Sequence, residues 1–286
     1  MNFESIINRH IQEETKNISN AIGKCNEAMV YYQILKANPI TTQVDPEEYQ
    51  DMLKKYSPVI SHEDLITLHK ASKVTLKRLN EYLSDKYGQY KIDSIQLVPD
   101  NYLKDRLDNS DLELILFVDN QYIEEAFSLK AISKKTAKIT AKNPGIGKIL
   151  GPQYFDIGSL SSIVEEVQEK FAKNLINHQQ SLIEVSAELG EKLITSNQTK
   201  LRKGVQALLG KSTLIVTFYN QNHSIVLQHG NVKSEVFVSK QYPSPIQTTL
   251  YWNEKQEELS LRVKFSAGQK KGWSSLKLAC EYKLNF

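Results

Sequence analysis

The chain predicts an α+β protein, and three observations predict it. Helical periodicity fills the first third, period two takes over between Ile92 and Ile132, and everything beyond Lys211 alternates in short segments. Helices and strands that segregate along a chain belong to the α+β class. With 286 residues there is enough chain for one large core or two ordinary ones.

Taken in order, Phe3 to Leu35 reads as helix, because Phe3, Ile6, Ile7, Ile11, Ile18 and Ile22 recur at helical spacing. Asn38-Pro39 stops it, and a connector with Asp45-Pro46 follows. Ser61, three residues before Asp64, caps a second helix that runs to about Tyr87 on Leu65, Leu68, Val74, Leu76, Leu79 and Leu83. Strands are expected at Ile92–Val98, Leu112–Val118 and Tyr122–Ile132, and Asn143-Pro-Gly-Ile-Gly147 is a loop. Helical spacing returns from Leu160 to Leu189, with a second helical piece ending near Gly210. Six β segments then predict an antiparallel sheet or sandwich: Leu214–Tyr219, Ser224–Gln228, Val232–Val238, Thr248–Trp252, Leu259–Phe265 and Ser275–Tyr282.

Composition narrows the function classes. Hydrophobic residues make up 40% and charged residues 24%, the balance of a globular protein, and Leu114–Val118 is too short an apolar run to span a bilayer. Cys25 and Cys280 are too few for a disulfide framework or a Cys-based zinc site; with no apolar leader at the start, a cytoplasmic location is expected. The net charge of +3 is uninformative, but its distribution is not. Ala126–Phe155 holds Lys130, Lys134, Lys135, Lys138, Lys142 and Lys148 with no acid. Leu259–Cys280 holds Arg262, Lys264, Lys270, Lys271 and Lys277, again with no acid. Segregated cations on a near-neutral protein point to a polyphosphate partner.

One pair of segments carries chemistry. Asp111 opens an apolar strand, Asp119-Asn120 makes a short turn, and Ser128 and Lys130 share one face near the end of the returning strand. A carboxylate and an ammonium brought to one sheet edge suit phosphodiester hydrolysis: the acid holds a divalent cation, and the lysine acts on a water or offsets charge on phosphorus. The arrangement resembles the active-site core of the PD-(D/E)XK nucleases, which include most type II restriction endonucleases. It departs from that pattern at Ser128, where the family has Asp or Glu, and in having no Pro before Asp111. A hydroxyl binds hard cations less strongly than a carboxylate, so the second acid is sought among Glu113, Glu124, Glu125 and Glu81.

The resemblance implies a restriction-endonuclease-like core, a mixed sheet flanked by helices, with a β-rich antiparallel C-terminal region. It divides the chain into a helical segment 1–62, a catalytic core 63–210 and a recognition region 211–286. It implies an Mg²⁺-dependent enzyme that cuts double-stranded DNA at a specific sequence and works as a homodimer. In that reading Asp111, Lys130, Ser128 and Glu113 form the catalytic group; Asp111 binds Mg²⁺ with Glu81, Glu124 or Glu125. DNA contacts fall to Lys134, Lys135, Lys142 and Lys148, and to the turn with Gln269, Lys270, Lys271 and Trp273. The glycines of 143–151 read either as a phosphate-approaching loop or as a tight connection. A second class of function stays open, a non-catalytic nucleic-acid-binding or assembly protein with a β-sandwich module, and Ser128 is the feature that favours it.

Overall fold

The computed structural model describes residues 17–98, 110–133, 138–228, 232–267 and 272–283. They divide into two compact units, Met1–Lys135 with Lys211–His229, and Thr136–Gly210 with Gly230–Phe286. These units do not follow the three consecutive segments read from the sequence. The chain leaves the first unit after its third long strand and returns to it at Lys211.

In the first unit, helix α1 (Ile18–Ala37) is followed by the short strand β1 (Thr42–Gln43), α2 (Glu48–Tyr56) and α3 (His62–Tyr87). Strands β2 (Lys91–Leu97), β3 (Leu112–Val118) and β4 (Gln121–Ile132) come next. The expected cap is present: the Ser61 hydroxyl accepts from the Asp64 amide at 3.0 Å. Helix α2 occupies part of what the sequence suggested was connector. The β3–β4 turn is tight because Asp119 and Asn120 both adopt positive φ, 47° and 62°, as a two-residue hairpin turn requires.

The chain re-enters this unit with β6 (Thr213–Phe218) and β7 (His223–Leu227), completing a six-stranded sheet ordered β1-β2-β3-β4-β6-β7. Strand β6 runs parallel to β4, Lys130 beside Val216, while β3 is antiparallel to both β2 and β4. The sheet is therefore mixed, and the first two expected C-terminal strands belong here. Val30, Tyr31 and Ile34 of α1 and Leu79 and Leu83 of α3 pack with Leu112, Leu114, Leu116, Phe127, Leu129 and Ile215 to form the core. Burying Leu-sized side chains contributes roughly 1.5–3 kcal/mol each.

The second unit contains β5 (Lys138–Lys142), α4 (Ser161–Ala172), α5 (His178–Ile194) and α6 (Gln198–Leu209). Its strands continue with β8 (Phe237–Ser239), β9 (Gln247–Trp252), β10 (Glu257–Phe265) and β11 (Leu276–Lys283). They form a five-stranded antiparallel sheet ordered β5-β11-β10-β9-β8. Strand β5 had no sequence signal of its own beyond lysines; it is recruited as an edge by β11. Among the described residues no helix is long and apolar enough to cross a membrane.

Close approach fixes one glycine. A methyl group on Gly204 in α6 would overlap the fully buried ring of Phe155. Gly204→Ala gains about 1 kcal/mol of helix propensity, but overpacking a filled core costs about 1–3 kcal/mol. We expect a net loss of stability in urea unfolding followed by circular dichroism; a variant more stable than wild type would show that Phe155 has room to move.

Candidate active site

The hairpin delivers the carboxylate and the ammonium to one point. Leu112 pairs with Phe127 across β3 and β4, which sets Asp111 beside the segment Ser128–Lys130. One oxygen of Asp111, Oδ2, then accepts three bonds: from the Leu129 amide at 2.7 Å, the Ser128 hydroxyl at 3.2 Å and the Lys130 ammonium at 3.2 Å. The Asp111 and Lys130 side chains are 17% and 27% exposed, so the pair is shielded yet open to solvent. The second oxygen, Oδ1, has no hydrogen-bond partner among the described residues. Ser128, 1% exposed, works as a donor that orients Asp111.

A buried acid in α1 is close enough to feel the charges of this pair. Glu27 is 5% exposed, and lies on the helical stripe that carries Val30, Tyr31 and Ile34 into the core. It pairs with Lys24 at 2.9 Å, also within α1. Burial, then the nearby charge of Asp111, pushes its carboxyl up to about 7, with Lys24 and Lys130 pulling the other way. A buried carboxylate that feels both Asp111 and Lys130 belongs to the same electrostatic cluster. Like-charge acids in a buried site are the arrangement a divalent cation relieves. Mg²⁺ commonly takes only one or two protein carboxylates and leaves its other positions to water and phosphate. Among the described residues no three His, Cys, Asp or Glu side chains gather into a closed metal cage.

Two of the acids named from sequence, Glu125 and Glu81, are paired elsewhere. Glu125 faces Leu114 on the opposite side of β4 from Lys130 and is held by Lys86 at 2.5 Å and by the Tyr87 hydroxyl. Burial works against the Lys86 ammonium, but its bonds to Glu125, Tyr87 and Tyr82 prevail and its pKa is raised. Glu81 binds Arg78 at 2.8 Å and Lys77 at 3.8 Å on the surface of α3. Glu124 is exposed opposite Ile115, four residues, about 13 Å, down the strand from Ser128. Glu113 is 8% exposed and lies two residues into β3 from Asp111. The second acid was sought from sequence in the strands and in α3, and Glu27, an acid on an otherwise core-facing stripe of α1, was not among the candidates.

The proposed DNA contacts are distributed as follows. Lys142 donates to the Ala207 carbonyl at 3.0 Å, satisfying the last turn of α6, and Lys148 is exposed. The glycine-rich loop is a connection: the Ile146 amide bonds the Leu276 carbonyl, Lys148 bonds Gly145, and Gly151 bonds Lys148, so these N–H groups are spent internally. Trp273 is half-buried, its ring 5.3 Å from Phe265 and 5.4 Å from Phe171. Lys134, Lys135, Gln269, Lys270 and Lys271 lie outside the described residues.

No protein-family model matches the chain. It is similar to the type II restriction enzyme BsuRI of Bacillus subtilis, 45% identical over 282 residues. That alignment takes in 99% of this chain and 49% of the relative, so the chain spans about half the length of the protein it matches. Among solved structures it overlaps the restriction endonuclease MspI in complex with its cognate DNA, at 14% identity and a TM-score of 0.35, over 81% of this chain and 82% of that one. The fold reading rests on the sheet order and not on so loose an overlap.

The Glu27 shift gives a pH dependence with a definite sign. A raised carboxyl binds its proton more tightly when folded, so ionising it opposes folding. The penalty is absent below the ordinary value of 4.5, grows as pH rises, and is complete above about 7. In metal-free buffer the stability of wild type relative to Glu27→Gln should therefore fall across that window, by on the order of 3 kcal/mol. Urea unfolding at a series of pH values measures it, and a pH-independent difference would remove Glu27 from the buried cluster.

Proposed function

We propose that this chain is the catalytic and DNA-binding part of an Mg²⁺-dependent endonuclease that cuts double-stranded DNA at a specific sequence. The observation that carries the reading is the Asp111 carboxylate, bonded through Oδ2 to Lys130, Ser128 and the Leu129 amide, with Glu27 buried alongside. The 45% identity with a type II restriction enzyme across nearly the whole chain supports it. Two-fold DNA sites are matched by two-fold proteins, so a homodimer is the corresponding assembly.

In this reading the carboxylates of Asp111 and Glu27 would hold Mg²⁺. The ion, when bound, supplies charge to the phosphoryl oxygens and lowers the pKa of a water. The chain's own groups do the positioning. The Leu129 amide and Ser128 hydroxyl fix the Asp111 carboxylate, so Ser128 supplies orientation at the position where the PD-(D/E)XK pattern has its second acid. Lys130, restrained by Asp111, presents its ammonium to the scissile phosphate and offsets the charge that builds there. Lys24 limits the repulsion between the two acids by neutralising part of Glu27.

Incubation with unmethylated phage DNA tests the reading. Discrete fragments with Mg²⁺ and intact DNA with EDTA are expected; DNA that is retarded on a gel yet never cut would favour the non-catalytic binding protein. Lys130→Ala should lower the cleavage rate by about 10²-fold or more with DNA affinity nearly unchanged. Cutting at the wild-type rate would take Lys130 out of the chemistry.

A further inference from the structure

The second unit's sheet has two unlike faces. Leu259, Leu261 and Val263 of β10 and Leu276, Leu278 and Cys280 of β11 are buried on one of them. On the other, charges follow a gradient along the paired strands. At one end Glu258 is bracketed by Lys138 at 3.1 Å and Lys283 at 3.6 Å. In the middle Arg262 reaches Glu281 at 3.3 Å. At the far end Lys264 stands directly across from Lys277, and neither has an ion-pair partner among the described residues. Five cations thus share the face with two carboxylates, and the imbalance is concentrated at one end.

Like charges directly opposed on adjacent strands, with Cβ atoms about 5 Å apart, destabilise a sheet. Burial of the stem and the charges of Lys277 and Arg262 lower the pKa of Lys264, with Glu281 opposing. The free protein therefore carries a local cost that an external anion removes. Arg262 is exposed and the two lysines are half-buried.

We propose that the Lys264–Lys277 pair, with Arg262 beside it, is a contact for the phosphate backbone of duplex DNA. The proposal rests on the endonuclease reading for its choice of polyanion, and adds to it a defined contact surface on β10 and β11. It assigns these side chains to backbone positioning, which contributes affinity and salt dependence and carries no base sequence.

The test compares wild type, Lys264→Gln/Lys277→Gln and, as an internal control, Lys138→Gln, whose ammonium is already neutralised by Glu258. Each binds a labelled mixed-sequence duplex in EDTA, so that nothing is cut, over a range of salt concentrations. The double variant should bind more weakly, and its log–log salt slope should be shallower by roughly 1.8, two phosphate contacts at about 0.9 each. The control should keep the wild-type slope. Thermal unfolding of the free double variant should hold or raise its midpoint, which separates lost contact from lost fold. Wild-type binding with an unchanged slope in the double variant, or an equal loss in the control, overturns this assignment and leaves the nuclease reading standing. A wild-type protein with no salt-dependent affinity for the duplex overturns both.

Discussion

Three donors meeting on one carboxylate oxygen organise this site. The Leu129 amide, the Ser128 hydroxyl and the Lys130 ammonium all reach Oδ2 of Asp111. Each bond needs the register in which Leu112 pairs with Phe127, and that register depends on a two-residue turn whose residues accept positive φ. A slip of one residue would turn Ser128 and Lys130 to the other face of the sheet. The core enforces the register, because Leu112, Leu114, Leu116, Phe127 and Leu129 are all buried against α1 and α3.

The same packing buries an acid of α1. Val30, Tyr31 and Ile34 anchor α1 in that core, and Glu27 is carried inward one turn earlier. Isolated, a carboxylate so buried would be costly. Lys24 and Lys130 offset part of that cost, and burial together with Asp111 keeps the carboxyl raised to about 7. This acid is electrostatically uneasy in the free protein, which distinguishes it from Glu125, whose pairing with Lys86 and Tyr87 ties α3 to the sheet.

Much of this was legible in the sequence where local physics decides. The Ser61 cap, the Asp119-Asn120 turn and the apolar alternation of β3 and β4 each carry a short-range signal, and together they gave Asp111 beside Lys130. What failed was long-range. Strand β6 reads like the β segments after it, yet it pairs in parallel with β4, and nothing local distinguishes a strand that returns to an earlier sheet. Strand β5 is lysine-rich and recognisable only through its partner β11. The phase of the first helix was misjudged as well: Ile18 is exposed, while Lys24 to Tyr31 is buried without a break, so α1 is packed nearly all round. A helix taken to be amphipathic hides an acid, Glu27, at a core position.

Asp111 is the group on which the others converge, so its charge is the most direct point to probe. Asp111→Asn keeps the side-chain volume and an acceptor for the Leu129 amide while removing the anion. Measured with Mg²⁺ on phage DNA, beside a gel-shift titration and a thermal melt, the variant should cut nothing detectable, retain duplex binding and unfold cooperatively near the wild-type midpoint. A folded Asp111→Asn protein that produces the wild-type fragments at the wild-type rate would contradict the account at its centre.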